Sequence, residues 1–338
     1  MHCAETIRGR RLAIVFPEGD DDRVIAAARM LRDDDLARPV LIGHPDAIGR
    51  AAERAAVSVA GLTTVDPRSD ERLESYVDRY ASARSIERNV AMRLVRRPLF
   101  FAGMMVAGGD ADAAIAGAVT PTATVIQGFS LTVGPAPGLE TPSSFFLMVL
   151  PARDNRTERI LVFADCAVNV APSPRELADI AVATAASATR YLPEPPRVAL
   201  LSFSTHGSAS HERVDHVRQA LERTRELEPS LVIDGELQAD AALVPEVALK
   251  KTSGSDVAGR ANVLVFPDLN SGNIAYKLTQ YLAEARALGP FLQGFARPVS
   301  DLSRGASIDD IVTTAIVTLA RSPQSAHETR RKHESAHL

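Results

Sequence analysis

The sequence predicts an α/β protein built as two domains. Its 338 residues exceed the usual size of one domain, and 46% hydrophobic residues are enough to fill two cores. Apolar strand-type runs alternate with helical patterns along the chain, which implies largely parallel sheets. A stretch dense in Gly, Pro and Ser, GPAPGLETPSSF at 134–145, marks a boundary close by.

The first run, Leu12 to Phe16, passes through a Pro-Glu-Gly-Asp turn into a helical pattern with alanines on its inner side, a strand-turn-helix unit. PVLIGHP at 39–45 repeats the strand-then-turn signal, and 69–97 mixes charged and apolar residues as surface helices do. The short apolar run FFLMVLP follows the 134–145 stretch. Pro-rich YLPEPPRVALLSFS starts another strand at Val198, and VLVFPDL at 263–269 and the Gly-Pro pairs around 289–298 read as strand ends or interdomain crossings. There is no internal repeat. The closing AHETRRKHESAHL is polar and charged without a periodic apolar face, as a frayed tail would be.

With Lys+Arg 38 against Asp+Glu 42, the formal charge of -4 gives no global positive field for a polyanion, so nucleic acid is not an expected partner. A few locally placed arginines still suffice to bind a small anion. Two cysteines, Cys3 and Cys166, are too few for a disulfide framework or a Cys-rich metal site and suit a reducing cytosol. The N-terminal MHCAETIRGRR lacks the apolar core of a signal peptide, and no apolar run reaches the roughly 18 residues of a membrane helix. The expectation is a soluble, cytoplasmic protein.

The most informative segment is PVSDLSRGASIDDIV, 298–312. Ser307-Ile308-Asp309-Asp310 looks like a helix start, with Ser307 as cap and Asp310 at its third position, so Asp310 has a purely structural reading as a cap. In the chemical reading, the Ser303 hydroxyl, the Arg304 guanidinium and the Asp310 carboxylate meet at one cleft edge, a set that can hold an oxyanion and accept a thiol proton. Arginine suits phosphate and a carboxylate suits a thiol proton. An aspartate with pKa about 3.9 is a weak base for a thiol near about 8.5, so burial or concerted transfer has to close the gap.

Other segments supply candidate walls. In LVFADCAVNVAPSPRELADIA, 161–181, a strand leads through a polar turn to a helix capped by Ser173; Cys166 has no visible thiolate-stabilising partner and reads as a packed or wall residue. LLSFSTHGSASHERV, 200–214, ends a strand in a Ser/Thr/Gly loop before a helix, an arrangement that offers backbone N–H groups to phosphate. It lacks P-loop spacing, and no Gly-x-Gly-x-x-Gly follows a strand, so nucleoside triphosphates and dinucleotides lose support. His206 is as readily a solvated loop residue as a ligand contact. Asp234, Glu236 and Asp240 have no histidine among them, and no metal site is expected. FPDLNSGNIAYKL, 266–278, places Asn and Gly between a strand end and a helix and reads as a second cleft wall.

Together, FADCAVN, LSFSTHGS, DGELQADAAL, KKTSGSDVAGRANVLVFPDLNSGNIAYKL and RPVSDLSRGASIDDI resemble the phosphate acetyltransferase family in order, nearly unbroken from about 143 to 320. VFPEGDDDRVIAAA and PLFFAGMMVAGGDADAAIAG follow its pattern more loosely. Phosphate butyryltransferases and the C-terminal part of some malic enzymes share this fold. The resemblance implies two three-layer α/β domains like those of isocitrate and isopropylmalate dehydrogenases, an interdomain cleft and a homodimer. It puts 1–147 plus 297–330 in the first domain and 148–296 in the second, with 331–338 as a flexible tail.

The resemblance further implies reversible acetyl transfer, acetyl-CoA plus phosphate to acetyl phosphate plus coenzyme A, in a ternary complex without acyl-enzyme or required cofactor. Asp310 would deprotonate the coenzyme A thiol, Ser303 would stabilise the oxyanion and Arg304 would hold the phosphate of acetyl phosphate. Substrate-binding positions would be Arg84, Cys166, Ser204, Thr205, Gly207, Ser208, Asn273 and Lys277. Two departures stand out. In Ala83-Arg84-Ser85-Ile86-Glu87-Arg88 only Arg84 or Arg88 is left as the phosphate-binding arginine, and Gln127 in TPTATVIQGF stands where the family has a second arginine. A longer-chain phosphate acyltransferase and a non-catalytic acetyl-CoA-sensing module are the rival readings; a metal-dependent dehydrogenase of the same fold is disfavoured.

Overall fold

The computed structural model describes residues 2–152, 157–252 and 254–322. The chain forms two compact units, one from 1–134 with 296–338 and one from 135–295. The expected tail at 331–338 lies outside the described residues.

The first unit carries a five-stranded sheet in the order β11-β4-β1-β2-β3. Its strands are β1 (Ala13–Phe16), β2 (Arg38–Ile42), β3 (Thr63–Val65), β4 (Ala113–Ala116) and β11 (Val299–Asp301). Every pairing in it is parallel. The sequence reasons are direct: AIVF and AAIA are buried at every position, as strands covered by helices on both faces must be. Helix Asp22–Asp33 starts at Asp21, whose carboxylate accepts from the Arg23 and Val24 amides. Its Val24, Ile25, Ala27, Ala28 and Leu31 join Ile14, Phe16 and Leu41 in one core. Helix Ile308–Leu319 adds Ile311, Ala315 and Leu319 to that core, so the C-terminal segment completes the N-terminal unit. Each such fully buried Leu, Ile or Phe contributes roughly 1.5–3 kcal/mol.

The second unit has a six-stranded sheet ordered β10-β5-β6-β9-β7-β8. Its strands are β5 (Ser143–Leu150), β6 (Arg159–Ala164), β7 (Val198–Leu201), β8 (Ile233–Leu237), β9 (Val263–Val265) and β10 (Arg286–Gln293). β6, β9, β7 and β8 run parallel, whereas β5 is antiparallel to both β6 and β10. The first boundary therefore falls at 134/135 rather than at 147/148, because residues 143–150 are an internal strand of the second sheet. The second falls at 295/296, one residue from the expected place. Helix Pro174–Ala188 opens with a full capping box between Ser173 and Glu176. Among the described residues no helix is long and apolar enough to cross a membrane.

Candidate active site

Because the five strands of the first sheet are parallel, their C-terminal ends share one edge, where open α/β sheets bind ligands. Three turns leave that edge, after β1, β4 and β11. Glu18, buried in the first turn, accepts from the amides of Ala118 (2.7 Å), Val119 (3.1 Å) and Thr120 (2.7 Å). Those amides point inward at a carboxylate, so this turn offers no backbone cradle to an anion. Arg23, gripped by both oxygens of Asp21, donates to the carbonyls of Arg304 (2.8 Å), Ala306 (3.1 Å) and Ala118 (2.9 Å). One guanidinium thus ties the β11 turn to the β4 turn.

Ser303 and Arg304 lie on the exposed connection between β11 and helix Ile308–Leu319, and Asp310 is exposed at the third position of that helix. The Ser303 hydroxyl oxygen accepts from the Gly305 amide at 3.3 Å, which leaves its proton to donate elsewhere. No hydrogen bond or ion pair among the described residues engages the Arg304 guanidinium; only its carbonyl is used, by Arg23. Asp310 caps the helix as its spacing predicts: Oδ2 accepts from the Ser307 amide (2.9 Å) and hydroxyl (2.8 Å), and Ser307 Oγ accepts from the Asp310 amide (3.2 Å). The cap uses one carboxylate oxygen. Oδ1 has no hydrogen-bond partner among the described residues, so capping and proton acceptance are compatible on one side chain.

The arginines expected to assist are differently placed. Arg84 donates from Nε and Nη2 to the carbonyls of Leu131 (2.9 Å) and Ser130 (2.7 Å), closing the C-terminal end of helix Thr122–Thr132. Arg88 pairs with Asp78 and Glu74. Gln127 is exposed on that same 122–132 helix.

In the second unit, the Ser204–Ser208 loop does not offer amides to a phosphate, contrary to expectation. Buried Glu236 takes the Gly207 amide (2.8 Å) and the Ser204 hydroxyl (2.9 Å) and pairs with Arg218 (2.9 Å). The His206 amide goes to the Glu236 carbonyl (3.1 Å), the Thr205 amide to Ser208 Oγ (3.0 Å) and the Ser208 amide to the Thr205 carbonyl (3.1 Å). Ser204 and Thr205 are buried; Gly207 and Ser208 are exposed with their amides committed. Burial pushes the Glu236 carboxyl up, but Arg218, the Gly207 amide and the Ser204 hydroxyl outweigh it and hold it down at about 2. This is a structural staple.

Cys166 is also turned inward. It is fully buried, and burial, helped by Asp165, pushes its thiol well above the usual range, as suits a packed residue rather than a nucleophile. Asn273 donates to the Cys166 carbonyl at 3.1 Å, fixing the second wall to the first. Lys277 stays exposed, its ammonium 5.0 Å from the centroid of the Tyr276 ring. Among the described residues no group of three or more His, Cys, Asp or Glu is arranged to hold a metal ion.

The family model for phosphate acetyl/butaryl transferase matches residues 1–319. The chain belongs to that family. A phosphate acetyltransferase of Thermoanaerobacterium thermosaccharolyticum is 45% identical over 321 residues, covering 94% of this chain and 97% of the relative. One from Clostridium acetobutylicum is 42% identical over 325 residues, covering 95% and 96%. Among solved structures, a phosphotransacetylase from Streptococcus pyogenes is similar with a TM-score of 0.88 and 40% identity, over 95% of this chain and 96% of that one. Three residues of this phosphate acetyl/butaryl transferase chain escaped the sequence reading: Glu18, Arg23 and Asp301, which organise the site edge from beneath. Glu18 and Arg23 were visible only as part of the motif FPEGDDDR, with nothing local to say that their partners lie about a hundred or more residues away.

Proposed function

We propose that the chain is a phosphate acetyltransferase that moves an acetyl group reversibly between coenzyme A and phosphate. The observation that carries this reading is the Arg304 guanidinium, uncommitted among the described residues, on the same short connection as the Ser303 hydroxyl and just before the helix whose first turn carries Asp310. In the direction of acetyl-CoA synthesis, Asp310 takes the proton of the coenzyme A thiol and the thiolate attacks the carbonyl carbon of acetyl phosphate. The new C–S bond forms, negative charge gathers on the carbonyl oxygen under the Ser303 hydroxyl, and the C–O bond to phosphate breaks as the proton taken up by Asp310 passes to the leaving oxygen, so that phosphate departs as the hydrogenphosphate dianion on Arg304. In the reverse reaction Asp310 takes the proton of the attacking hydrogenphosphate and passes it to the leaving coenzyme A thiolate. Donor, base and cation all come from side chains, so the scheme needs no acyl-enzyme, metal or redox cofactor. Acetyl is preferred over longer acyl groups because the 45%-identical relative bears that name, and the absence of an arginine at Gln127 weakens phosphate binding rather than changing the reaction. The setting is cytoplasmic.

The test is thiol release from acetyl-CoA with and without inorganic phosphate. Release that requires phosphate is the expected result; faster release from butyryl-CoA than from acetyl-CoA would shift the reading to a longer-chain acyltransferase, and tight coenzyme A binding without any release would shift it to a sensing module.

The proposed assembly is a homodimer. Helix Leu269–Leu282 supports it: Ile274, Leu278, Tyr281 and Leu282 recur at helical spacing, and all four are more than half exposed. A second copy would cover this stripe about a twofold axis. Leu278→Glu with Leu282→Glu is expected to give monomers in light scattering where the unmodified chain gives dimers; a dimeric double variant would move the interface elsewhere.

A further inference from the structure

The Arg23 guanidinium spends every N–H inside the protein, and it spends two of them on the turn that carries Ser303 and Arg304. Its plane is fixed first by Asp21, the residue that caps helix Asp22–Asp33: Oδ1 accepts from Arg23 Nε at 3.1 Å and Oδ2 from Nη2 at 2.9 Å. The other Nη2 hydrogen goes to the Ala118 carbonyl at 2.9 Å, and the Nη1 hydrogens go to the carbonyls of Arg304 at 2.8 Å and Ala306 at 3.1 Å. All the donors of a guanidinium are thereby used, and none remains for a ligand.

The Arg304 and Ala306 carbonyls belong to one tight turn. The Ala306 amide donates to the Ser303 carbonyl at 2.9 Å, which makes 303–306 a β-turn with Arg304 and Gly305 at its centre. The Gly305 amide donates to the Ser303 hydroxyl oxygen at 3.3 Å. Because a peptide is planar, the Arg304 carbonyl and the Gly305 amide rotate as one unit. The guanidinium that grips the carbonyl therefore sets the direction of the amide that holds the Ser303 hydroxyl.

We propose that Arg23 is a positioning residue for acetyl transfer: through the Arg304–Gly305 peptide it aims the Ser303 hydroxyl, and through the Arg304 backbone it sets where that side chain reaches. Arg23 itself touches no substrate. Its charge is balanced by Asp21, so it supplies geometry rather than field. Lysine, a point charge on a flexible stem, cannot span the same set of acceptors. The proposal rests on the reading of Ser303 and Arg304 as the groups that meet the acyl oxygen and the phosphate.

Thiol release from acetyl-CoA is measured over a range of phosphate concentrations for the unmodified chain, Arg23→Ala and Arg23→Lys. Arg23→Ala is expected to lower kcat/KM for phosphate about 100-fold, the cost of a displacement of about 1 Å near the reacting groups. KM for phosphate is expected to rise while KM for acetyl-CoA stays in place; a variant that is merely less folded loses kcat alone. The Arg23 side chain is 31% exposed, so the space it leaves in Arg23→Ala is open to solvent. Millimolar guanidinium chloride is expected to restore part of the lost activity, and ammonium chloride at equal ionic strength to restore none. A denaturant does not rescue a simple loss of stability. Arg23→Lys keeps the charge and is expected to stay at least about tenfold below the unmodified chain; it carries the test should Arg23→Ala fail to fold. An unchanged KM for phosphate in both variants, or recovery with guanidinium no greater than with ammonium, overturns the proposal. An unaltered KM for phosphate in Arg304→Ala overturns instead the reading of Arg304 on which the proposal rests.

Discussion

Asp310→Asn is expected to lower kcat for phosphate-dependent acetyl transfer by about 10²–10⁴-fold, the usual worth of a positioned general base. The exchange is nearly isosteric. An Asn at the third helical position still presents an acceptor oxygen to the Ser307 amide, so the helix start is expected to weaken by about 1 kcal/mol at most. The two roles of Asp310 are therefore separable by measurement: stopped-time thiol assays report the base, and urea unfolding reports the cap. A variant that loses stability but turns over normally would leave Asp310 with capping alone, carried by the Oδ2 contacts to Ser307. KM for phosphate is expected to stay within a few-fold, since the proposed scheme puts that substrate on Arg304 rather than on Asp310.

Glu236→Gln is expected to cost about 3 kcal/mol of stability at pH 7 and to remove most of the second unit's acid sensitivity. Glu236 is 1% exposed and sits among the Arg218 guanidinium, the Ser204 hydroxyl and the Gly207 amide. Its folded pKa of about 2 lies below its ordinary 4.5. The sign follows from that direction: a depressed carboxyl contributes stability that is fully present above 4.5 and is lost as pH falls toward 2. A gap of this size corresponds to about 3 kcal/mol. Gln keeps the two acceptor contacts but turns a neutral amide toward Arg218, leaving that cation without its buried partner. Urea midpoints measured between pH 7 and 3 check this: the unmodified chain should weaken steeply below 4.5 and the variant should not. Parallel pH curves for the two would mean that Glu236 is not the group responsible.

The parts of the fold with local signatures were legible in advance. The FPEGD turn after Leu12–Phe16, the Ser173 cap and the Ser307–Asp310 box each announce themselves within a few residues, and each is found where the sequence puts it. The misplaced boundary at 147 shows the limit. FFLMVL reads as an apolar run in any context, and its membership in the second sheet depends on pairing with Arg159–Ala164 and Arg286–Gln293, which no local pattern encodes. The Ser204–Ser208 loop failed for a related reason. Its Gly, Ser and Thr composition suits a phosphate cradle, but Glu236, on a separate strand, takes the Gly207 amide. Asp301 was in plain view within PVSDLSRG, yet what distinguishes it is a buried oxygen under Gly117 with no hydrogen-bond partner among the described residues, a property of packing alone.

The insertion of β11 beside β4 has a consequence for how the chain is made. A ribosome delivers residues 1–134 before the second unit, with Ala113–Ala116 as an unpaired sheet edge and part of the first core missing, since Ile311, Ala315 and Leu319 come after that unit. At about 5–20 residues per second, that incomplete half waits roughly 8–32 s while the intervening unit, residues 135–295, is synthesised. The second unit, continuous in sequence, can close on itself meanwhile. The half that holds Ser303, Arg304 and Asp310 is thus begun before the second unit and completed after it, and the edge that carries these three residues forms only once the second unit has been made.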